Sequence, residues 1–358
     1  MWYIMKTNEI KKILYEYINQ HRAARQIRLP AERELAKELG YSRATIGKVL
    51  GVLEGEGLIV RRRGAGTFIS ESEINRSMTV ALVMRNAYHC TDPHFKLIVG
   101  NVLKCAEEYG ILVQIFDRAI DMFTRKEEEN PLLKAINAGL INGVLFASRM
   151  PVSIVSQLVA KIPASAINNI FGDGSELPCI SCDYFQAGFK GAKYLLDKGH
   201  RRIAYLTTDI SHIESHFELS GIKAAYRGVN ESFDVSSILN TSKDMGYFEK
   251  YAVNFFTGSK YTACFVRSED NARKLVSVLR GINIDVPGDV SIVSVGNYLV
   301  NSQQSLGLTV VDNHLDLMVR YGVENIIKLI KGEPIEKKIL LLEPDIIERN
   351  SVIDIKQK

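Results

Sequence analysis

The sequence predicts an α/β protein in which a small helical head precedes two doubly wound parallel-sheet subdomains. Three observations carry that expectation. The first 70 residues read as amphipathic helices followed by a basic hairpin. From Thr79 to about residue 330, short β runs alternate with helical stretches, the pattern of βαβ units and parallel sheets. The chain has 358 residues, too many for one ordinary domain. The expected division is a head over 1–70, a polar linker over 71–77 and a two-part body over 78–358.

Each element has its own signal. In 6–20, Ile10, Ile13, Leu14, Tyr17 and Ile18 recur at helical spacing. A second helix opens near Leu29-Pro30-Ala31, with Pro30 suited to a first helical position and acids following in the first turn. It stops at Gly40. Ser42 is an N-cap residue for a third helix running from Arg43 to about Glu56. Leu58-Ile59-Val60, a turn built on Arg61-Arg62-Arg63-Gly64-Ala65-Gly66, and Thr67-Phe68-Ile69 then form a hairpin with a cationic, glycine-rich tip. Beyond the linker come β runs at 79–84, 111–116 and 143–147, with helices at about 93–109 and 132–138.

Composition narrows the function classes. Hydrophobic residues make up 46% and charged residues 24%, as in a soluble globular chain. No apolar run approaches the ~20 residues of a membrane span, and the start lacks the layout of a secretory signal. The expected location is cytoplasmic, with no membrane partner. Five scattered cysteines do not make a disulfide framework. Cys179 and Cys182 have CxxC spacing but no second pair to complete a metal site. His212 and His216 would share a helical face, yet only Glu218 lies nearby as a third ligand. The expectation is therefore no metal and no cofactor. The net charge of +4 is unevenly placed: residues 1–70 hold five Lys and eight Arg against seven acids. Only the head is expected to meet a polyanion.

The head has the spacing of a winged helix-turn-helix, whose second helix enters a major groove. Arg43, at its start, is placed for a bidentate contact to guanine. Ser42 and Thr45 can bond phosphate or bases, Lys48 lies one turn on, and Arg33 reaches in from the preceding helix. Arg62, Arg63 and Gly64 at the hairpin tip would grip phosphate or enter the minor groove. Residues 29–70, from Leu29-Pro30-Ala31-Glu32-Arg33 to Ile69-Ser70, closely resemble the winged helix of the GntR family. That resemblance implies DNA contacts at Arg33, Arg43 and Thr45, with Gly64 and Gly66 shaping the wing tip. The family's usual arginine two residues after the threonine is Gly47 here.

The body resembles the sugar-sensing domain of the LacI/GalR family, a periplasmic-binding-protein-like fold. Four passages carry this over about residues 78–335: Asp92-Pro93-His94-Phe95, Tyr194 to Tyr205, Val286 to Val293, and Leu308-Thr309-Val310-Val311. The pocket departs from the family pattern. Glu218 stands where an arginine is usual, Thr241 where an aromatic platform is usual, Ser268-Glu269 replace an Asn-Asp pair, and Gly296, followed by Asn297, replaces an aspartate. Other candidates at strand ends are His94, Phe95, Tyr184, Gln186 and Glu214. The acids disfavour phosphorylated ligands, so a neutral sugar ranks first.

Together these features imply a DNA-binding regulator, a repressor controlled by a small carbohydrate-type effector and working as a homodimer on a two-fold operator. Two alternatives stay open. One is an enzyme, since such folds host many chemistries, although no nucleophile elbow, phosphate loop or dinucleotide fingerprint is found. The other is a constitutive DNA-binding protein with a vestigial pocket.

Overall fold

The computed structural model describes residues 28–70, 78–84, 93–116, 130–148, 152–168, 177–241, 248–298 and 307–357, and part of 10–18. The expected linker 71–77, Cys90 and Asp92 lie outside the described residues.

In the head, Ile10, Leu14 and Ile18 present one apolar stripe of a helical segment. Against it pack helix α1 (Glu32–Leu39), helix α2 (Arg43–Gly55) and the antiparallel hairpin of β1 (Ile59–Arg62) and β2 (Gly66–Ile69). Leu35, Ile46, Val49, Leu50 and Leu53 complete this core, all within 1% of full burial. The N-cap of α1 is Ala31, so Pro30 lies just outside the helix rather than at its first position. Glu34 takes over the capping by accepting the Ala31 N–H at 2.9 Å. Gly40 ends α1 at φ +70°, a left-handed conformation that costs glycine little. Ser42 caps α2 by accepting the Thr45 N–H at 3.1 Å.

The body is two lobes, each a six-stranded sheet. The first lobe has β3 (Thr79–Val83), α3 (Pro93–Tyr109), β4 (Leu112–Phe116), α4 (Pro131–Asn137), β5 (Gly143–Phe146), α5 (Val152–Val159), β6 (Ala164–Ile167) and β7 (Cys179–Cys182). The second has α6 (Tyr184–Asp197), β8 (Ile203–Thr207), α7 (Ile213–Arg227), β9 (Ile238–Asn240), α8 (Phe248–Phe256), β10 (Ala263–Val266), α9 (Glu269–Gly281), β11 (Ser291–Val295) and β12 (Thr309–Asp312). The chain then returns to the first lobe with α10 (Leu315–Ile330) and β13 (Ile339–Leu342), and ends in the second with β14 (Asp345–Ile347).

Strand order is β13-β7-β6-β5-β3-β4 in the first sheet and β14-β12-β11-β10-β8-β9 in the second. All pairings are parallel except β12 with β14. Strands buried on both faces explain the near-continuous apolar runs in sequence. The order reverses direction between β3 and β5, and again between β8 and β10. Such switch points open a crevice at the carboxyl ends of the strands.

The chain crosses between lobes three times, at Asp183, at Asn313-His314 and at Glu343-Pro344. These crossings are tied together. Lys190 of α6 donates to the Pro344 carbonyl at 2.8 Å and pairs with Glu343 at 2.7 Å. His314 Nε2 lies 3.2 Å from Asp345. One apolar cluster runs through both lobes, from Val80 and Leu82 to Tyr205 and Phe265.

Candidate functional site

The head exposes one cationic face. Arg33, Ser42, Arg43 and Lys48 are exposed around the start of α2, and Thr45 is half-buried beneath them. The Ser42 and Thr45 hydroxyls lie 2.7 Å apart and shape the helix start. Arg43 is 73% exposed, with only a loose pair to Glu32 at 3.5 Å. A surface pair of that kind contributes little, so the guanidinium can leave it for a base edge. Arg43→Ala is expected to weaken binding to a selected operator by about 1–3 kcal/mol and to relax one base position. Fluorescence anisotropy on matched and point-changed duplexes reads this; equal affinity of variant and wild type on both would remove Arg43 from the interface.

Arg61 faces inward, unlike its two neighbours. It binds Glu32 at 2.5 Å and the Gly47 carbonyl at 3.3 Å, tying the wing to both helices. A Cβ at position 47 would lie 3.7 Å from Glu32 and 3.9 Å from Arg61. The family's arginine position is therefore roofed by an ion pair. Arg62 lies over the Phe68 ring, 5.2 Å from its centroid, and Arg63 is exposed at the tip. Gly64 and Gly66 take φ +79° and +115°, turning the tip tightly. Arg28, which sequence reasoning missed, bridges to Phe68 and lies beside Gly66. Replacing Arg62 and Arg63 with Ala should flatten log affinity against log salt by about one unit for each phosphate that the wing no longer neutralises. A fixed slope with changed sequence preference would make the wing a base reader instead.

In the body, the crevice between the lobes gathers a charged and aromatic cluster. Its centre is Arg267, the first residue past β10 at the switch point of the second sheet. Arg267 donates to Ser215 Oγ at 3.0 Å and lies 3.4 Å from Glu218 and 3.6 Å from Glu214. Its guanidinium covers the Tyr184 ring at 5.6 Å. Tyr184, the first residue after a crossing, donates to Asn168 at the end of the first lobe's β6. Ser215 in turn meets Thr207 at 3.1 Å and the Asp209 carbonyl at 2.8 Å.

Glu218 is fully buried and accepts from Tyr205 Oη at 2.7 Å. Burial pushes its carboxyl up to about 7, against the lowering pull of Arg267 and Tyr205. Burial also opposes the charge of Arg267, but Glu218 and its neighbours more than offset that and hold it above the usual range. Glu218 is thus the enclosed counter-ion of Arg267, the residue after β10, rather than a solvent-facing carboxylate.

His94 and Phe95 lie in the first turn of α3, in the first lobe. The rings of His94 and Tyr298 meet edge-on at 5.1 Å, joining the two lobes. The Tyr298 backbone N–H donates to Glu269 at 2.7 Å, and its hydroxyl accepts from Asn313 at 3.0 Å. Tyr298 and Glu214 both act electrostatically on the Tyr184 hydroxyl, which burial holds well above its ordinary range.

Of the nine candidate pocket residues, Tyr184, Glu214 and Glu218 meet around Arg267, while His94, with Phe95 beside it, meets Tyr298. The others sit differently. Ser268 caps α9 through the Asn271 N–H at 3.3 Å. Asn297 is held between Asp312 at 2.9 Å and Arg349 at 2.7 Å. Gln186 lies in the first turn of α6, where Asp183 accepts its backbone N–H. Thr241 is buried and lines a cavity of about 520 Å³ between α8 and α9, with Phe248, Asn271 and Lys274. His212 pairs with Asp209 at 3.3 Å, and Cys179 and Cys182 are buried in β7. Among the described residues no cluster has the make-up of a metal site, and no helix is long and apolar enough to cross a membrane.

A winged head on a bilobal, doubly wound body is the architecture of a transcription regulator in which a gntR-type DNA-binding domain precedes a periplasmic-binding-protein-like domain. Residues 6–69 match the bacterial regulatory proteins of the gntR family, and 192–352 match a periplasmic binding protein-like domain. The arabinose metabolism transcriptional repressor of Geobacillus stearothermophilus is 24% identical over 358 residues, covering 97% of each chain. The transcription regulator CcpA of Lactococcus lactis has the same fold at TM-score 0.67 and 22% identity, over 77% of this chain and 100% of its own. The CelR regulator in complex with cellobiose matches at TM-score 0.64 and 21% identity, over 90% of this chain and 100% of that one.

Proposed function

We propose that the protein is a cytoplasmic repressor whose grip on a two-fold operator is controlled by an uncharged saccharide held between the lobes, without cofactor or catalysis. The carrying observation is the cluster around Arg267, assembled at the switch point of the second sheet and joined to the first lobe by Tyr184 on Asn168 and, nearby, by Tyr298 on His94. A ligand that touches both lobes biases their relative rotation, and it needs only a tenfold preference, about 1.4 kcal/mol, to shift the balance of states tenfold. Two carboxylates against one guanidinium disfavour a phosphate and suit hydroxyl donors. The named functions of the arabinose repressor and the CelR–cellobiose complex support a carbohydrate as the effector class.

A second copy is part of the proposal, because one head gives half of a symmetric site. Leu103 and Tyr109 on α3, with Leu112 and Ile115 on the edge strand β4, leave apolar side chains exposed for it. The test is an operator selected from random DNA, followed by release on titration with L-arabinose, cellobiose and their phosphates, with sedimentation of the full chain in parallel. A neutral sugar should release the duplex, and the chain should sediment as a dimer at tens of micromolar, roughly the range set by moderate affinity. Release by the phosphates alone would overturn the ligand class. Binding indifferent to every sugar would favour a constitutive DNA-binding protein, and a monomer would overturn the dimer.

A further inference from the structure

We infer that Tyr298 is the aromatic platform of the effector crevice, a role that Gly296 makes possible. The inference deepens the effector reading and rests on it. Thr241, at the position where the resemblance implies an aromatic, offers no ring, and the described part of the crevice carries a different one. Tyr298 is half-buried and joined to both lobes. Its ring lies directly over Gly296: a Cβ there would come within 2.4 Å of the ring carbons and 2.8 Å of the hydroxyl. Gly296 also sits at φ +102°, a conformation that side chains other than hydrogen rarely adopt. The residue that replaces the family's aspartate thus removes a polar ligand group and makes room for an aromatic ring.

The ring is also fixed in place. Glu269 holds its backbone N–H, Asn313 donates to its hydroxyl, and His94 packs edge-on against it. A ring already held needs little further ordering when a ligand arrives. Beside it, Asn313 is 2% exposed, and its Oδ1 has no hydrogen-bond partner. A buried acceptor without a partner points to a donor that is still to come. An apolar ring face beside an unfilled acceptor fits a saccharide: C–H groups stack on the ring while a hydroxyl donates to Asn313. The platform has therefore moved from the end of β9 to the loop after β11.

Calorimetric titration of the full chain with L-arabinose, D-xylose, D-galactose and cellobiose tests this. For each sugar that binds the wild type, Tyr298→Ala and Tyr298→Leu should lose about tenfold or more in affinity, and Tyr298→Phe should keep it within about threefold. Gly296→Ala, which displaces the ring without removing it, should lose affinity as the alanine variant does. Leucine keeps the volume without the aromatic face, so it carries the test if the alanine variant does not fold. Unfolding midpoints near the wild-type value separate a binding role from a structural one. Tyr298→Leu binding like the wild type would overturn the platform and leave the effector reading standing. A wild type that binds none of the four would overturn the effector reading, and the platform with it.

Discussion

Arg267→Ala is expected to cost about 3–5 kcal/mol of stability at pH 8, because it strands a buried carboxylate without its counter-ion. Glu218 is fully buried, and its carboxyl, raised by burial from 4.5, titrates at about 7 in the folded chain. Between those two values the folded state holds a proton that the unfolded state has released. Stability from this group is therefore highest below pH 4.5 and is lost as pH rises through 7, by about 3 kcal/mol in all. Without Arg267 the carboxyl rises further, so the variant's deficit should shrink markedly on moving from pH 8 to pH 5. Urea unfolding across that range measures both effects. Glu218→Gln should flatten the contribution, since an amide cannot ionise, while still accepting from Tyr205. A deficit below about 1 kcal/mol for Arg267→Ala at pH 8, or an unchanged pH slope in Glu218→Gln, would contradict this account.

Gly188→Ala should be nearly as damaging, at about 3 kcal/mol, by overpacking rather than by charge. Gly188 in α6 and Gly221 in α7 let the two helices touch backbone to backbone. A Cβ on Gly188 would lie 2.0 Å from the Glu218 carbonyl oxygen, and one on Gly221 would lie 2.1 Å from that of Phe185. Backbone cannot swing aside as a flexible side chain can, so the helices must separate. Because α7 carries Glu214 and Glu218, the separation also pulls both from Arg267, and effector response should fall with stability. Gly100→Ala is the control: it lies in α3 with nothing within 4 Å, and alanine there should be neutral or stabilising by up to about 1 kcal/mol. Thermal unfolding of the three proteins decides the matter. Equal midpoints for Gly188→Ala and Gly100→Ala would show that the helix pair yields more easily than its geometry implies.

The head was legible because its signals are local. Ser42 caps the helix that starts beside it through an N–H three residues on, Gly40 ends one, and the wing glycines turn the residues beside them. The alternation of the body was legible for the same reason, down to the limits of α3 at 93 and 109. The crevice was legible only in part. Glu218 stood out because the resemblance implies an arginine there, but its meaning depends on Arg267, which is 49 residues away and on a different element. Only the placing of β10 beside β8 at the switch point brings them together. A search for Lys or Arg immediately after each β run would have found Arg267. Tyr298 was hidden differently: Gly296 read only as an aspartate replaced by nothing, and a missing side chain does not say what fills its space. Ser268 and Asn297 drew attention by position alone, and sequence gives no sign that their hydrogen bonds are engaged in a helix cap and a bridge between Asp312 and Arg349.

The crossings at Asp183, Asn313-His314 and Glu343-Pro344 make the two ends of this molecule differ as units of inheritance. The head is one uninterrupted stretch, so a single splice ahead of β3 replaces it whole, and one body can serve under different heads. Neither lobe has that property. The first sheet takes β13 and the covering helix α10 from chain that follows the second sheet's parallel strands β8 to β12, and the second takes β14 from chain later still. No single cut frees a lobe and no single splice exchanges one. New DNA specificity can therefore be acquired in one recombination, while new ligand specificity has to be reached residue by residue within a body that stays intact.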